Sequence, residues 1–251
     1  MHRTLLLMTL LAAPALAQTP APKEAPKAAA SPAKQASVPA APSSATADPK
    51  AMTPEVKDLV ERMQAFYEKT QDFSADFTQD YKYKALRRTQ SSSGTVIYKK
   101  PGLMRWEYLK PSKRTFVLAG EKVYAHDPEA QSLSVGRIDT NQLSASVTFL
   151  FGKGKLADEF SITKGECKDC KGTLLVLDPL KTEPRFRQVR LEVAPKTAQV
   201  LKSTVVDPDG SENAISFLEL KTNVGIDKAR FTINPPEGTR VDDLTKMMQP
   251  K

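Results

Sequence analysis

The chain has 251 residues, 26% charged and 40% hydrophobic, with 19 prolines, 11 glycines, two cysteines, two histidines and a formal charge of +8. This balance excludes a collagen-like, disulfide-dense or wholly disordered protein and suits one or two globular domains. With His2 in an N-terminal leader, a zinc site, a Ser/His/Asp triad and most general acid/base designs would all have to use His126.

Residues 1–17 read as a cleaved secretory signal: Arg3 is the positive start, Leu5 to Leu11 the apolar run, and Ala15-Leu16-Ala17 the small-residue cleavage pattern. The run is too short to span a bilayer and no cysteine follows it, so a soluble exported protein without its own lipid anchor is expected. Residues 18–52 include 12 alanines and seven prolines with almost nothing large and apolar, the composition of a disordered tether. Such a tether serves either as reach through a crowded periplasm or cell wall or as a passive low-complexity leader. Residues 1–52 hold +3 of the charge, which leaves +5 on the domain at 53–251.

Thr53-Pro54-Glu55 is a helix start, and Val56, Leu59, Val60, Met63, Phe66 and Tyr67 follow with helical spacing. The period then changes to two. Phe73, Ala75, Phe77 and Tyr81 alternate with polar residues as in a strand with one wet face. From there roughly eleven short strands are expected, divided by turn signals such as Ala119-Gly120-Glu121, Asp127-Pro128-Glu129 and Asp207-Pro208-Asp209-Gly210. This spacing predicts an α+β, mainly β protein built on one large antiparallel meander. Gln142 to Phe151 reads as a helix, with a further turn near Lys155 to Asp158.

Val189, Leu191 and Val193 alternate cleanly with polar neighbours, but Leu174 to Leu177 and Leu103-Met104 with Trp106 and Tyr108 are denser in apolar groups. If one side of the sheet is dry, that surplus fits either an internal cavity or an ordinary core under helices.

The segment Gly94-Thr95-Val96-Ile97-Tyr98-Lys99-Lys100-Pro101-Gly102-Leu103-Met104-Arg105-Trp106-Glu107-Tyr108 resembles the signature of the periplasmic outer-membrane lipoprotein carrier (LolA) family. Phe77-Thr78-Gln79, Asp127-Pro128, Asp209-Gly210, Asn223, Ile226-Asp227, Phe231, Pro235-Pro236 and Gly238 follow in the family's order, so the resemblance covers about residues 53–243. It implies an incomplete antiparallel barrel closed by helices over a hydrophobic cavity. It also implies a periplasmic shuttle for acylated lipoproteins, loaded by an inner-membrane ABC transporter and emptied at an outer-membrane receptor.

Lys100 stands where the family usually has an arginine that latches the lid helices. A lysine offers point donors instead of a planar fork, and it reads either as a latch or as a solvated turn residue. Tyr67, Leu150 and Phe151 join it on the lid side. Met104 and Trp106 match the family's cavity positions, and Tyr108 continues that face by period two. Phe116, Leu118 and Tyr124 are expected as neighbouring wall.

Cys167 and Cys170 form a C-x-x-C pair between two predicted strands, which in an oxidising compartment reads as a disulfide pinching a hairpin. His126 reads as a hairpin-end residue. The expected protein is a monomeric, non-enzymatic chaperone with no catalytic residue, cofactor or metal; a lipid-sensing regulator or envelope receptor on the same half-barrel is the alternative. Export argues against a nucleic-acid partner, so positive patches read as aids to docking on anionic headgroups or acidic surfaces.

Overall fold

The structure, a computed structural model, describes residues 52–138 and 154–245. The leader, nearly all of the tether, and the expected helix at 142–151 with Leu150 and Phe151 lie outside the described residues.

Helix α1 (Pro54–Lys69) begins where the Thr53 hydroxyl accepts the Val56 amide at 3.4 Å, with Pro54 in its first turn. Its apolar spacing buries Val56, Leu59, Val60, Met63 and Tyr67 along one stripe. Six strands follow as a meander: β1 (Asp72–Tyr83), β2 (Arg88–Lys99), β3 (Leu103–Lys110), β4 (Arg114–Ala119), β5 (Lys122–Asp127) and β6 (Ser132–Arg137). After a one-turn helix at Leu156–Glu159 come β7 (Phe160–Lys164), β8 (Thr173–Pro179), β9 (Gln188–Val193), β10 (Val200–Val206) and β11 (Glu212–Thr222). A 3-10 turn at Lys228–Phe231 and the short strand β12 (Arg240–Asp243) close the described chain.

All twelve strands form one sheet in the order β12-β6-β5-β4-β3-β2-β1-β11-β10-β9-β8-β7. The two meanders join where β11 pairs with β1, and among the described residues the sheet stays open between β7 and β12, an incomplete barrel. The twelve strands of the described residues agree with the roughly eleven expected. Arg240–Asp243 pairs with β6 in parallel, so among the described residues the sheet is antiparallel at every pair but that one.

One correction concerns which sides are dry. Residues that share a register position point to one face, so Phe77, Val96, Trp106 and Phe116 lie on an inner face and Ile97, Arg105, Val117 and Tyr124 on the outer one. The outer face is also apolar at its middle. Ile97 and Val117 are buried there with Ile226 and Phe231 of the segment after β11, and Leu103, Ala119, Tyr124 and Ile233 pack around them. Adjacent Leu103 and Met104 therefore serve opposite layers, and the density of apolar residues in β3 reflects two cores rather than a cavity alone.

Asp72 holds that outer strap. Its carboxylate accepts the amides of Val224, Gly225 and Ile226 at 2.7–3.2 Å, and its carbonyl accepts the Asn223 amide at 2.7 Å. Asn223 and Gly225 have φ of 56° and 75°, which curls the loop around the carboxylate as an anion-binding nest. Lys99 Nζ lies 3.6 Å from the same carboxylate, and Arg105 donates to the Arg230 and Thr232 carbonyls farther along.

Candidate functional site

The inner face divides into two halves. Over β7–β10 it is closed: Ile162, Leu175, Leu177, Val189, Leu191 and Val193 are each no more than 2% exposed. Helix α1 lies on this side, where the Tyr67 hydroxyl accepts the Val200 amide at 3.2 Å, Arg62 donates to the Pro195 carbonyl at 2.8 Å, and Glu55 pairs with Lys164 at 2.9 Å.

Over β3–β5 the inner face carries Met104, Trp106, Tyr108, Phe116, Leu118 and Val123, of which only Trp106 and Tyr108 are buried. Register brings these together: Met104 is opposite Leu118 and Trp106 opposite Phe116. Phe77 adds its ring at 4.8 Å from Trp106 and 5.0 Å from Tyr108, both edge-on, and Tyr108 meets Phe116 at 5.6 Å. The close approach depends on Gly94, opposite Phe77, where a Cβ would overlap the Glu107 carbonyl and sit 3.0 Å from the Phe77 ring.

Tyr124 stands apart from this group. It pairs with Val117, one residue out of step with Phe116 and Leu118, and so joins the outer core under Ile226 and Phe231. Period two within β5 puts Val123 on the inner face instead. Phe77 and Phe217, opposite each other on β1 and β11, belong to the inner aromatic group and were not among the expected wall residues. Phe77 was visible as an alternating strand residue; Phe217, 140 positions later, meets it only through the β1–β11 pairing.

A polar row crosses the aromatic floor. Tyr108 donates to the Gln79 side-chain carbonyl at 2.9 Å, and Gln79 donates to Asn213 at 2.8 Å, so the buried polar atoms of the row bond one another. Burial raises the Tyr108 hydroxyl far above its ordinary range and lifts Tyr98 and Tyr67 to about 12. All three stay neutral near pH 7.

Lys100 sits at the turn from β2 to β3, with its ammonium donating to the Glu68 carbonyl at 2.7 Å and the Tyr67 carbonyl at 3.1 Å. These are last-turn carbonyls of α1, which have no partner inside the helix, and the negative end of the helix dipole faces the cation. Burial lowers the affinity of this amine for its proton, and the nearby Glu68 carboxylate opposes that shift. Thr70 caps the same end by donating its hydroxyl to the Phe66 carbonyl at 2.8 Å.

The Cys167 and Cys170 sulfurs lie at disulfide-bonding distance, Cα to Cα 5.5 Å, in the loop between the paired strands β7 and β8. His126 is the second-last residue of β5, and Asp127, which ends the strand, accepts from Arg114 at 3.1 Å.

The sequence model of the outer membrane lipoprotein carrier protein LolA matches residues 68–234, from the last turn of α1 through the outer strap. A model for ribonuclease (pollen allergen) matches residues 7–110, less than half of the chain, and stops at the end of β3 inside the sheet. Outer-membrane lipoprotein carrier proteins of Dechloromonas aromatica and Chromohalobacter salexigens are each 29% identical to this chain, over 70% and 69% of it and 83% and 81% of their own length. An uncharacterised conserved protein from Thermus thermophilus is similar in structure, at 13% identity and a TM-score of 0.49, over 74% of this chain and 98% of that one. With the carrier model spanning well over half of the sequence, this chain belongs to the outer membrane lipoprotein carrier protein (LolA) family.

Proposed function

We propose that this protein is a periplasmic chaperone that binds the acyl chains of lipoproteins released from the inner membrane by an ABC transporter and carries them to the outer membrane. The observation that supports this most is the unequal inner face: tightly packed under α1, yet over β3–β5 lined by the half-buried Met104, Phe116, Leu118 and Val123 around a buried Trp106 and Tyr108. A sixteen-carbon acyl chain resists transfer into water by roughly 12 kcal/mol, at ~0.8 kcal/mol per methylene, so an aqueous compartment can be crossed only if something covers it. Met104, Trp106, Tyr108, Phe116 and Leu118, with Phe77, supply such a cover, and the thioether of Met104 adapts to chains of different shape.

Release is as necessary as binding. Lys100 holds the end of α1 by a two-acceptor contact at a partly exposed position, a bond weak enough to exchange when cargo or a partner displaces the helix. The protein then works by burial and hand-over, not by catalysis. Residues 1–17 act as the export signal and residues 18–52 as a tether. No helix among the described residues is long and apolar enough to cross a membrane.

The test is a release assay. Inner-membrane vesicles carrying the transporter and a triacylated lipoprotein, given ATP and the mature protein, should yield a soluble one-to-one complex. A folded sample that leaves the lipoprotein in the vesicles overturns the carrier reading.

A further inference from the structure

The β1–β2 hairpin reaches past its neighbour. β2 starts at Arg88, but its pairing with β3 begins only at Ser93 opposite Lys110, so the hairpin extends beyond the β3–β4 turn by five residues, about 16 Å at ~3.3 Å each. At its tip Leu86 is 69% exposed, the highest value among the exposed large hydrophobic residues, and Leu109 beside the β3–β4 turn is 52% exposed. Around these two leucines stand Lys82, Lys84, Arg87, Arg88, Lys110 and Lys113, all exposed. Residues 81–94 and 108–115 contain no acid, and none of the six cations forms an ion pair among the described residues. Acids near the patch are Glu212, opposite Lys82 on β11 and paired with Arg190 at 3.0 Å; Asp207, which accepts from Tyr81; Asp209, in the β10–β11 turn beside Lys84; and Asp80, which accepts the Ser91 hydroxyl at 2.6 Å.

The inner face of the same hairpin is aromatic. Tyr81 and Tyr83 lie with ring centres 4.4 Å apart, on the line that continues Phe77 along β1 toward the tip. The hairpin is also firmly based: the Lys84 amide donates to the Ser211 hydroxyl at 3.2 Å, and Tyr81 donates to the Asp207 carboxylate.

The tip thus combines its most exposed leucine with a ring of exposed cations that form no ion pair among the described residues, and with tyrosines behind it. It matches the boundary of an anionic bilayer, where phosphates face the cations, the leucine enters the acyl layer and the tyrosines rest at headgroup level. We infer that the β1–β2 tip and the β3–β4 turn form a docking surface for an anionic lipid bilayer. The protein meets the membrane with this rim, which lies at the end of the aromatic line leading to the inner face. An acidic protein surface would satisfy the cations but would leave Leu86 without an apolar partner.

This inference goes beyond cargo carriage and is tested apart from it, by flotation of the mature protein with vesicles free of lipoprotein and transporter. Vesicles containing phosphatidylglycerol should carry the protein upward at ~20 mM salt and less at ~150 mM, as the Debye length shortens, while phosphatidylcholine vesicles should not carry it. The double variant R87E/R88E should bind at least about tenfold more weakly, because each cation near an anionic leaflet contributes roughly fivefold. L86S should lose the binding that remains at ~150 mM salt. K110E/K113E, at the other turn, supplies a second loss independent of the hairpin tip, and unchanged thermal melting shows that each variant is folded. Equal flotation with both lipids, no flotation of the wild type, or variants that bind like the wild type overturns the inference. So does competition that shows the tip engaging an acidic polypeptide but no vesicle. Wild-type protein that keeps lipoprotein soluble yet does not float defeats docking and leaves carriage standing; a floating protein that fails the release assay does the reverse.

Discussion

The ammonium of Lys100 lies 2.7 Å from the Glu68 carbonyl, so one side chain at the β2–β3 turn holds the C-terminal end of a helix that begins 46 residues earlier. K100L removes both donors and leaves two helix-end carbonyls to water. A loss of about 1 kcal/mol is expected after allowing for solvent screening, which corresponds to a melting temperature lower by roughly 2–4 °C. K100R, whose fork reaches the same carbonyls, should restore or raise the melting temperature. If the contact also restrains α1 during loading, K100L will change the rate of lipoprotein transfer by more than its small stability loss accounts for.

Asp72 gathers the amides of Val224, Gly225 and Ile226, so its loss frees the outer strap. D72A should destabilise the protein by about 3 kcal/mol, because the buried Ile226 amide and the part-buried bonds from Val224 and Gly225 lose one charged acceptor together. Limited proteolysis should then cut within residues 223–239 before it cuts the sheet. Cleavage that begins elsewhere at an unchanged rate would show the nest to be dispensable.

The two faces of the sheet make a matched pair of experiments. F116A and L118A thin the inner wall, so binding of a fluorescent fatty acid by the folded protein should weaken by about tenfold for each, the equivalent of one or two buried methylenes. Y124A lies on the outer core and should lower the melting temperature instead, with acyl affinity per folded molecule unchanged. Equal effects on affinity at all three positions would place the acyl site elsewhere.

Alkaline pH probes the buried tyrosines. The Tyr67 hydroxyl ionises near 10 when unfolded but at about 12 when folded, so between those values the folded state holds the extra proton. Stability is then complete below pH ~10 and falls as pH rises toward 12, by about 2–3 kcal/mol for this residue. Y67F should flatten that slope while costing about 1–3 kcal/mol at neutral pH, because the buried Val200 amide loses its acceptor. Urea melts at pH 7, 10 and 11 measure both effects.

Helix α1, the alternating strand β1 and most turns were readable because each depends on neighbours within a few residues: a hydroxyl cap, a 3.6 or 2.0 period, a Gly or Pro at a bend. The clustering of Met104, Trp106, Phe116 and Leu118 was readable for the same reason, since two consecutive strands joined by a short turn bring their alternate residues to one face. Tyr124 was misplaced because a choice between faces is decided by register, and a shift of one residue reverses it.

What the sequence determined by itself is thus the family, the mainly β class and the local elements, all carried by motifs and periods along the chain. Which layers are dry was decided only by tertiary structure. The pairing of β1 with β11 brings Phe217 to Phe77. The closure of Asp72 on residues 224–226 lays the strap over Ile97 and Val117 and makes a second core on the outer face. These contacts join residues some 140 to 155 positions apart, and their geometry follows from the packing of the whole sheet, which no local pattern encodes.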